Sequence, residues 1–211
     1  MIHKFHGKTK EYSSVVLALV FITLEGVVQL TMLSIFKLFG LNRQNLHIRH
    51  LETYLVVTTA LIIGLIVASF HWQLAGWILV GLGAIRILQI VALNSMTLMF
   101  GLRLLSPAVP EIDRARWHFI ALTLSVFDVL LIYGFVYYFF NGLYGILSVD
   151  PARFFDHFYF SMVTITTVGY GDVVPVTALG KGIALSETFM GIFLFAFLVN
   201  AVVHRFQRHV D

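Results

Sequence analysis

The strongest constraint on this chain is a series of apolar stretches that are long enough to cross a lipid bilayer. A spanning helix needs about 20 mostly apolar residues, because the hydrocarbon layer is about 30 Å thick. Five stretches meet or approach this length, at 15–39, 51–70, 74–92, 117–140 and 177–205. We therefore predict an all-α membrane protein with five membrane-spanning helices.

The composition supports this prediction and excludes several other classes of protein. Hydrophobic residues make up 59% and charged residues 12% of the 211 residues, against about 45–50% and about 25% in soluble domains. No segment between the stretches is long enough to form a separate soluble domain. The net charge of +3 is spread over loops and ends, so the expected partner is the bilayer and not a nucleic acid. The absence of cysteine excludes disulfides and thiolate metal ligands.

The segment between the fourth and fifth stretches has a different pattern. Asp150 followed by Pro151 is typical of a helix N-cap, and we predict a helix from there to about Thr166. Such a helix is only about 24 Å long, which is too short to cross. Two glycines and Pro175 follow, so the chain is expected to enter the bilayer, turn and leave on the same side. Irregular backbone at this depth is tolerated only where it lines a water-filled path or is buried in protein.

The end of this helix is followed by the sequence Thr-Val-Gly-Tyr-Gly. Together with the residues from Phe158 to Asp172, it resembles the pore loop of potassium channels, and a weaker resemblance covers about 119–205. It implies that four loops meet on one axis and that their carbonyl oxygens replace the hydration shell of potassium. It also implies a homotetramer with three further copies of the chain, K+ as the permeant ion and no organic cofactor. The implied filter residues are Thr167, Val168, Gly169, Tyr170 and Gly171.

In this family, side chains behind the filter hold it in shape. By position, Tyr159 is expected to hydrogen-bond Asp172, and Thr164 is expected to receive the hydroxyl of the filter tyrosine. Phe160 and Val163 depart from the family pattern, because many relatives carry a donor-bearing aromatic residue at the first position and some carry a carboxylate at the second. The surroundings of the filter are therefore expected to be less polar than in those relatives.

The fifth stretch resembles the inner helix of the family and places Gly191 at the family's hinge position. Further residues of this stretch recur at helical spacing and are expected to line the cavity below the filter. They are Thr188, Ile192, Phe195, Val199 and Val203. The alternative is that this stripe is only a helix-packing face.

We divide the chain into four parts. Residues 1–93 hold the N-terminal membrane helices, about three spans by length, and 94–116 form an amphipathic interfacial helix and a cytoplasmic linker. Residues 117–205 form the pore domain, with outer helix, pore helix, filter and inner helix, and 206–211 form a short cytoplasmic tail. A multi-pass protein of the cell membrane with a cytoplasmic C-terminus then has most basic loops inside, as the positive-inside rule requires. The first stretch either spans the membrane or lies at its interface.

Ionisable residues lie near the middle of four stretches: Glu25, Arg86, Asp128 and Glu187. A charge at the bilayer centre costs at least about 2.5–3.5 kcal/mol, so pairing is the expected state. We predict that Arg86 pairs with Asp128 or Glu25 and that Glu187 is held behind the filter by polar neighbours or is protonated. A voltage sensor needs several arginines in one helix, whereas the third stretch contains one.

These observations predict a potassium-selective channel and not an enzyme, with a gating stimulus that the sequence does not identify. One alternative is a channel-like regulatory subunit that is silent alone. Another is an intramembrane aspartyl protease, because 169–172 fit the Gly-x-Gly-Asp signature and Asp128 could supply a second carboxylate. The preceding short helix and the Thr-Thr-Val run are explained by a filter only.

Overall fold

The computed structural model describes residues 15–28, 48–100 and 111–207, and these residues are almost entirely helical. The described part contains α1 Val15–Val28, α2 Ile48–Ser69, α3 Gln73–Phe100, α4 Glu111–Tyr144, α5 Phe154–Ile165 and α6 Ala178–Gln207. Within these ranges, β-pairing is limited to an isolated antiparallel bridge between Leu147 and Pro175. The predicted all-α class is therefore confirmed.

Three of the described helices contain segments long and apolar enough to cross a membrane: Gln73–Met96, Phe119–Tyr144 and Ala178–Asn200. A shorter apolar segment, Thr53–Ser69, lies in α2. The described part of the first apolar stretch is the 14-residue helix α1. Three candidate spans thus agree with the sequence, and the full set of five stays a prediction.

The described residues form two compact units, one with 15–28 and 85–100 and the other with 48–84 and 111–207. In the second unit α4 is central, because α2, α5 and α6 all pack against it and α5 also packs against α6. The buried residues of α4 include Leu122, Val129 and Ile132. Their spacing of seven and three residues is that of one helix face.

The boundary between the third stretch and the following linker differs from the prediction. Helix α3 continues without a break past Asn94 to Phe100, and α4 already begins at Glu111. The structure thus shows no helix boundary at Asn94, and the interfacial helix and linker predicted for 94–116, of which 101–110 lie outside the described residues, stay a prediction. No glycine or proline interrupts the helix between Asn94 and Phe100, and the Asn94 side chain donates to the Ile90 carbonyl of its own helix at 2.8 Å.

Helix α5 also begins later than predicted. Its N-cap is Arg153, which makes no side-chain capping bond. The Asp150 carboxylate instead accepts the Ala152 N–H at 2.9 Å, and the Asp150 carbonyl accepts the Arg153 N–H at 3.0 Å. Asp150 and the following proline therefore form a tight turn before the helix. The helix has 12 residues, which corresponds to about 18 Å.

Candidate ion-conduction site

The filter segment is attached to the C-terminal end of α5 by its own backbone. The Val163 carbonyl accepts the N–H groups of Val168 and Gly169 at 3.0 and 3.1 Å, and the Thr164 carbonyl accepts that of Thr167 at 3.0 Å. The last carbonyls of a helix have no partner within the helix. Here the filter supplies those partners, so the position of α5 fixes the start of the filter.

The backbone of the filter alternates in handedness. Thr167, Gly169 and Gly171 have φ angles of +58°, +53° and +78°, whereas Val168 and Tyr170 between them do not have positive φ. Glycine takes this conformation readily and residues with a Cβ resist it. The two glycines of the motif are thus explained by backbone conformation, and Thr167 adopts the same conformation despite its branched side chain.

At the end of the filter segment, Tyr159 makes the hydrogen bond to Asp172 that the sequence predicts. Its hydroxyl donates to the Asp172 carboxylate at 2.8 Å, and this bond raises the pKa of Tyr159, so the hydroxyl keeps its proton. The Tyr170 ring lies parallel to the Tyr159 ring, with centroids 6.5 Å apart. The expected bond between Tyr170 and Thr164 is not among the hydrogen bonds within the described part of this single chain.

A buried carboxylate behind the filter joins three helices. Both oxygens of Glu187 on α6 accept hydroxyl groups, one from Tyr137 on α4 at 2.7 Å and one from Ser161 on α5 at 2.5 Å. All three side chains are buried. The sequence singled out Glu187 but missed Tyr137 and Ser161. The signal that could have identified them is that both residues carry a hydroxyl group at about the same depth as Glu187, on adjacent helices.

The two apolar residues that depart from the family pattern pack in the interior of the chain. Phe160 and Val163 are both buried, and the Phe160 ring meets the Tyr137 ring edge-on, with centroids 4.8 Å apart. Aromatic pairs in this geometry contribute about 0.5–1.5 kcal/mol beyond their buried area. The polar junction at Glu187 therefore lies next to an aromatic contact, that of Phe160 with Tyr137.

Helix α6 has two distinct faces. Glu187, Met190, Leu194 and Phe197 are buried within the chain. The predicted cavity residues Ile192, Phe195 and Val199 are exposed, and Thr188 is half-buried with its hydroxyl bonded to the Ala184 carbonyl at 2.9 Å. The side chain of the remaining predicted residue, Val203, lies outside the described side chains.

Gly191 lies at a close contact between α6 and the end of α5. A Cβ at this position would be 2.6 Å from the Ile165 carbonyl oxygen, a distance at which the backbone would have to move. A side chain at this position is therefore excluded by contact with α5. The resemblance had suggested a hinge at Gly191, and the structure adds a packing reason for glycine.

The remaining intramembrane charges are placed as follows. Asp128 on α4 is buried and accepts the Thr59 hydroxyl of α2 at 2.6 Å. Arg86 is also buried and donates to Gln89 of its own helix at 3.3 Å. The Glu25 side chain lies outside the described side chains, so the pairing of Arg86 with Asp128 or Glu25 stays a prediction.

The protease alternative requires two carboxylates that share a proton. Asp128 is bonded to Thr59 on α2, while Asp172 is bonded to Tyr159 on α5. Each carboxylate thus has its own hydroxyl donor. This arrangement serves to hold structural elements together, and it gives no support to an aspartyl dyad.

Comparison with known proteins agrees with this geometry. A family model described as an ion channel matches residues 125–208, which include α5, the filter segment and all of α6. A voltage-gated potassium channel of Aeropyrum pernix is 34% identical over 138 residues, or 62% of this chain and 43% of the relative. The two-pore potassium channel 4 of Arabidopsis thaliana is 33% identical over 96 residues, or 45% of this chain and 33% of the relative.

A shorter match is found to the human voltage-gated potassium channel regulatory subunit KCNG1, which is 45% identical over 51 residues, or 24% of this chain and 10% of the relative. The chain therefore spans less than half the length of each of these relatives. No solved structure matches it. The matching proteins are channels or channel subunits, which confirms that the chain is not an enzyme. The region that carries the filter segment thus matches the ion channel family, and the chain is similar to potassium channels over part of its length.

Proposed function

We propose that four copies of this chain form a potassium-selective channel that conducts K+ passively along their common axis. The observation that carries this proposal is the alternating backbone of Thr167, Gly169 and Gly171 at the end of a short helix. Alternation directs successive carbonyls to one side of the segment, and four such segments form the rings of oxygens that replace the hydration shell of potassium. K+ is the permeant ion, and no organic cofactor is needed.

Helix α5 provides the second argument. With 12 residues it is about 18 Å long, and it is flanked by α4 and α6, which are long and apolar enough to cross. The proposed topology therefore has five spans, with α5 and the filter re-entrant between the last two and the C-terminus in the cytoplasm. The C-terminal end of α5 then points its partial negative charge at the cavity, which favours a cation.

Exposed surfaces of the single chain support the tetramer. Val168 and Tyr170 of the filter are 52% and 71% exposed, and the exposed face of α6 carries Ile192 and Phe195. Large exposed apolar surfaces mark contacts with other proteins or with lipid. In the proposed tetramer, neighbouring copies surround the filter segment, and the exposed face of α6 lines the cavity.

The N-terminal helices are proposed not to sense voltage. Helix α3 contains Arg86 as its one arginine and contains no lysine, whereas voltage-sensing helices carry several regularly spaced arginines. The proposed stimulus that opens the channel is therefore a change in pH, a ligand or the lipid composition, and not voltage.

A second candidate function is a regulatory subunit that conducts only with a partner. The short match to the regulatory subunit KCNG1 supports it, but potassium channels that are not described as regulatory subunits match this chain over longer segments. The two candidates differ in one property: a conducting channel passes K+ when the purified chain is the only protein in the membrane.

The test is ion flux in liposomes that contain the purified chain alone. We expect K+ efflux at least about tenfold faster than Na+ efflux, a ratio that corresponds to about 1.4 kcal/mol. Equal passage of both ions would overturn the assignment of the filter. No passage of either ion, from protein that runs as a stable tetramer, would favour the regulatory subunit.

A further inference from the structure

A buried amide, that of Asn141 near the end of α4, binds both the loop that joins α4 to α5 and a histidine of α5. Its Nδ2 donates to the Val149 carbonyl at 3.1 Å and lies 2.9 Å from Nε2 of His157 on α5. Its Oδ1 accepts the Leu147 N–H at 2.9 Å. Asn141 is 1% exposed, so these partners replace the water that an amide would otherwise bind.

These contacts fix the protonation state of His157. Its Nδ1 lies 2.8 Å from the Arg153 carbonyl, and a carbonyl can only accept, so Nδ1 carries the proton. The Asn141 amide cannot be turned over, because its oxygen must face the Leu147 N–H. Its NH₂ group therefore faces Nε2, which must be an unprotonated acceptor. The network is satisfied only by a neutral imidazole.

The same loop is paired with the segment that follows the filter. The Ser148 N–H donates to the Val174 carbonyl at 2.9 Å, and the Val176 N–H donates to the Ile146 carbonyl at 2.9 Å. The Val174 N–H in turn donates to the Ser148 hydroxyl at 2.9 Å. Val174 follows closely after Asp172, which supports the filter. A continuous set of contacts thus runs from His157 through Asn141 and the loop to the outer end of the filter.

The start of α6 is part of this arrangement. A Cβ at Gly180 would lie 2.6 Å from the Ile146 carbonyl oxygen, so α6 packs directly on the loop backbone. A shift of the loop therefore displaces either the segment beyond the filter or the first turn of α6. The loop has little freedom to move alone.

The ionisable groups around the imidazole come from three places. Asp150 lies in the loop, Arg153 and Asp156 lie at the start of α5 with 3.8 Å between their charged groups, and the Tyr138 ring on α4 meets the imidazole edge-on. Burial lowers the pKa of His157, and this outweighs the backbone bonds and the carboxylates of Asp156 and Asp150, which raise it. His157 is accordingly neutral at neutral pH.

We propose that Asn141 and His157 are positioning residues for the outer end of the filter, and that external protons stop conduction by charging His157. This inference rests on the proposed channel function. A protonated Nε2 would present an N–H to the Asn141 NH₂ group, so the network must break. Because the pKa of His157 is lowered, the intact network is favoured above the ordinary value of 6.5 and loses stability as the pH falls below it.

The first test records K+ current in outside-out patches, in which the bath reaches the outer end of the filter, at bath pH values from about 8 to about 5. The wild-type current should be large at the highest pH and fall progressively as the bath pH drops below 6.5, by at most about tenfold per unit of pH for each protonation. In His157→Gln, an amide oxygen that does not titrate can accept from Asn141, and the current should no longer fall. The control is His71→Gln, at an exposed residue in the turn between α2 and α3, which should retain the wild-type pH profile.

The second test uses Asn141→Asp, which keeps an oxygen for the Leu147 N–H but offers His157 an acceptor in place of a donor. A charged imidazole then fits the site, so the current should rise as the bath is made more acidic over the same range. A role confined to folding would not reverse the pH dependence. K+-selective current with the same acid inhibition in wild type and His157→Gln, or with no acid inhibition in wild type, would overturn this inference and leave the channel function standing. Absence of K+ current in wild type at the highest pH would instead contradict the channel function.

Discussion

The polar side chains of the pore region and those of helices α2 and α3 are used differently. In the pore region they join separate elements: Glu187 bonds to two other helices, and Tyr159 on α5 bonds to Asp172 beyond the filter. In α2 and α3, several of the described polar side chains bond within their own helix. Thr58 donates to the carbonyls of Tyr54 and Leu55, and Arg86 donates to Gln89.

This difference shows which region needs a fixed geometry. A hydroxyl that bonds only to its own helix satisfies a donor without selecting a neighbour, so that bond does not position the helix. A bond between elements selects one arrangement and is lost when either partner moves. The pore region holds an irregular backbone in place, whereas α2 and α3 have a regular helical backbone that is held by its own hydrogen bonds.

The largest effect is expected where the filter backbone itself is changed. Gly169 has a φ of +53° and no atom within 4 Å of the position that a Cβ would take, and Gly142 on α4 has equally open space without a positive φ. Gly169→Ala is therefore strained by conformation, at about 1–2 kcal/mol in each chain. We expect it to abolish K+ over Na+ selectivity in liposome flux, with Gly142→Ala retaining selectivity as the matched control.

If Gly169→Ala remained selective, the handedness of the backbone at this position would be irrelevant to conduction. If both variants lost selectivity, the effect would come from general damage to the fold. The pair therefore separates backbone strain from the addition of a methyl group.

The next largest effect is expected at the junction behind the filter. Glu187→Leu removes the acceptor of two buried hydroxyls, and each unsatisfied group costs about 1–3 kcal/mol. The triple variant with Tyr137→Phe and Ser161→Ala removes the donors as well and should recover much of the lost stability. The measurement is the melting temperature of the detergent-solubilised oligomer. If the destabilisation of the triple variant equalled the sum of the effects of the three single substitutions, the three groups would not act together.

A smaller effect is expected at the outer mouth, where Val174 is exposed and its backbone is paired with Ser148. Four aromatic rings around an entrance can hold a quaternary ammonium ion by cation–π attraction. External tetraethylammonium should block the wild type weakly. Block of Val174→Tyr should be at least about tenfold stronger, which corresponds to about 1.4 kcal/mol.

Tight block of the wild type would contradict this expectation. Unchanged block in Val174→Tyr would mean that the side chain at 174 does not face the entrance. In that case the segment from Asp172 to Thr177 would differ from the one that the resemblance implies.

A further prediction tests the comparison within one helix. Thr58 bonds to its own helix, whereas the adjacent Thr59 also donates to Asp128 on α4 at 2.6 Å. Thr59→Val should destabilise the chain by about 1–3 kcal/mol, because it leaves a buried carboxylate without that donor. Thr58→Val should have little effect in the same thermal melt. Equal effects would remove the distinction between the two kinds of hydrogen bond.

The sequence predicted the parts of the molecule that local pattern controls. The apolar stretches predicted the helices that contain the three candidate spans, and the register of the motif predicted the bond from Tyr159 to Asp172. The prediction for Asp150 was wrong, because a carboxylate before proline can cap a helix or close a turn, and neighbouring contacts decide between the two. The partners Tyr137 and Ser161 were missed because they meet only after three helices pack.

Thr167 has a consequence for how the protein should be handled. It is the one residue other than glycine with a positive φ in the described chain, and such a conformation costs about 1–2 kcal/mol. In the proposed tetramer, the four Thr167 residues form one ring of the filter, and their conformation would together cost roughly 4–8 kcal/mol. Ions bound to that ring offset this cost through mass action. Purification without potassium should therefore give oligomers that dissociate at lower temperature than those kept in potassium, and sodium at equal ionic strength should not replace it.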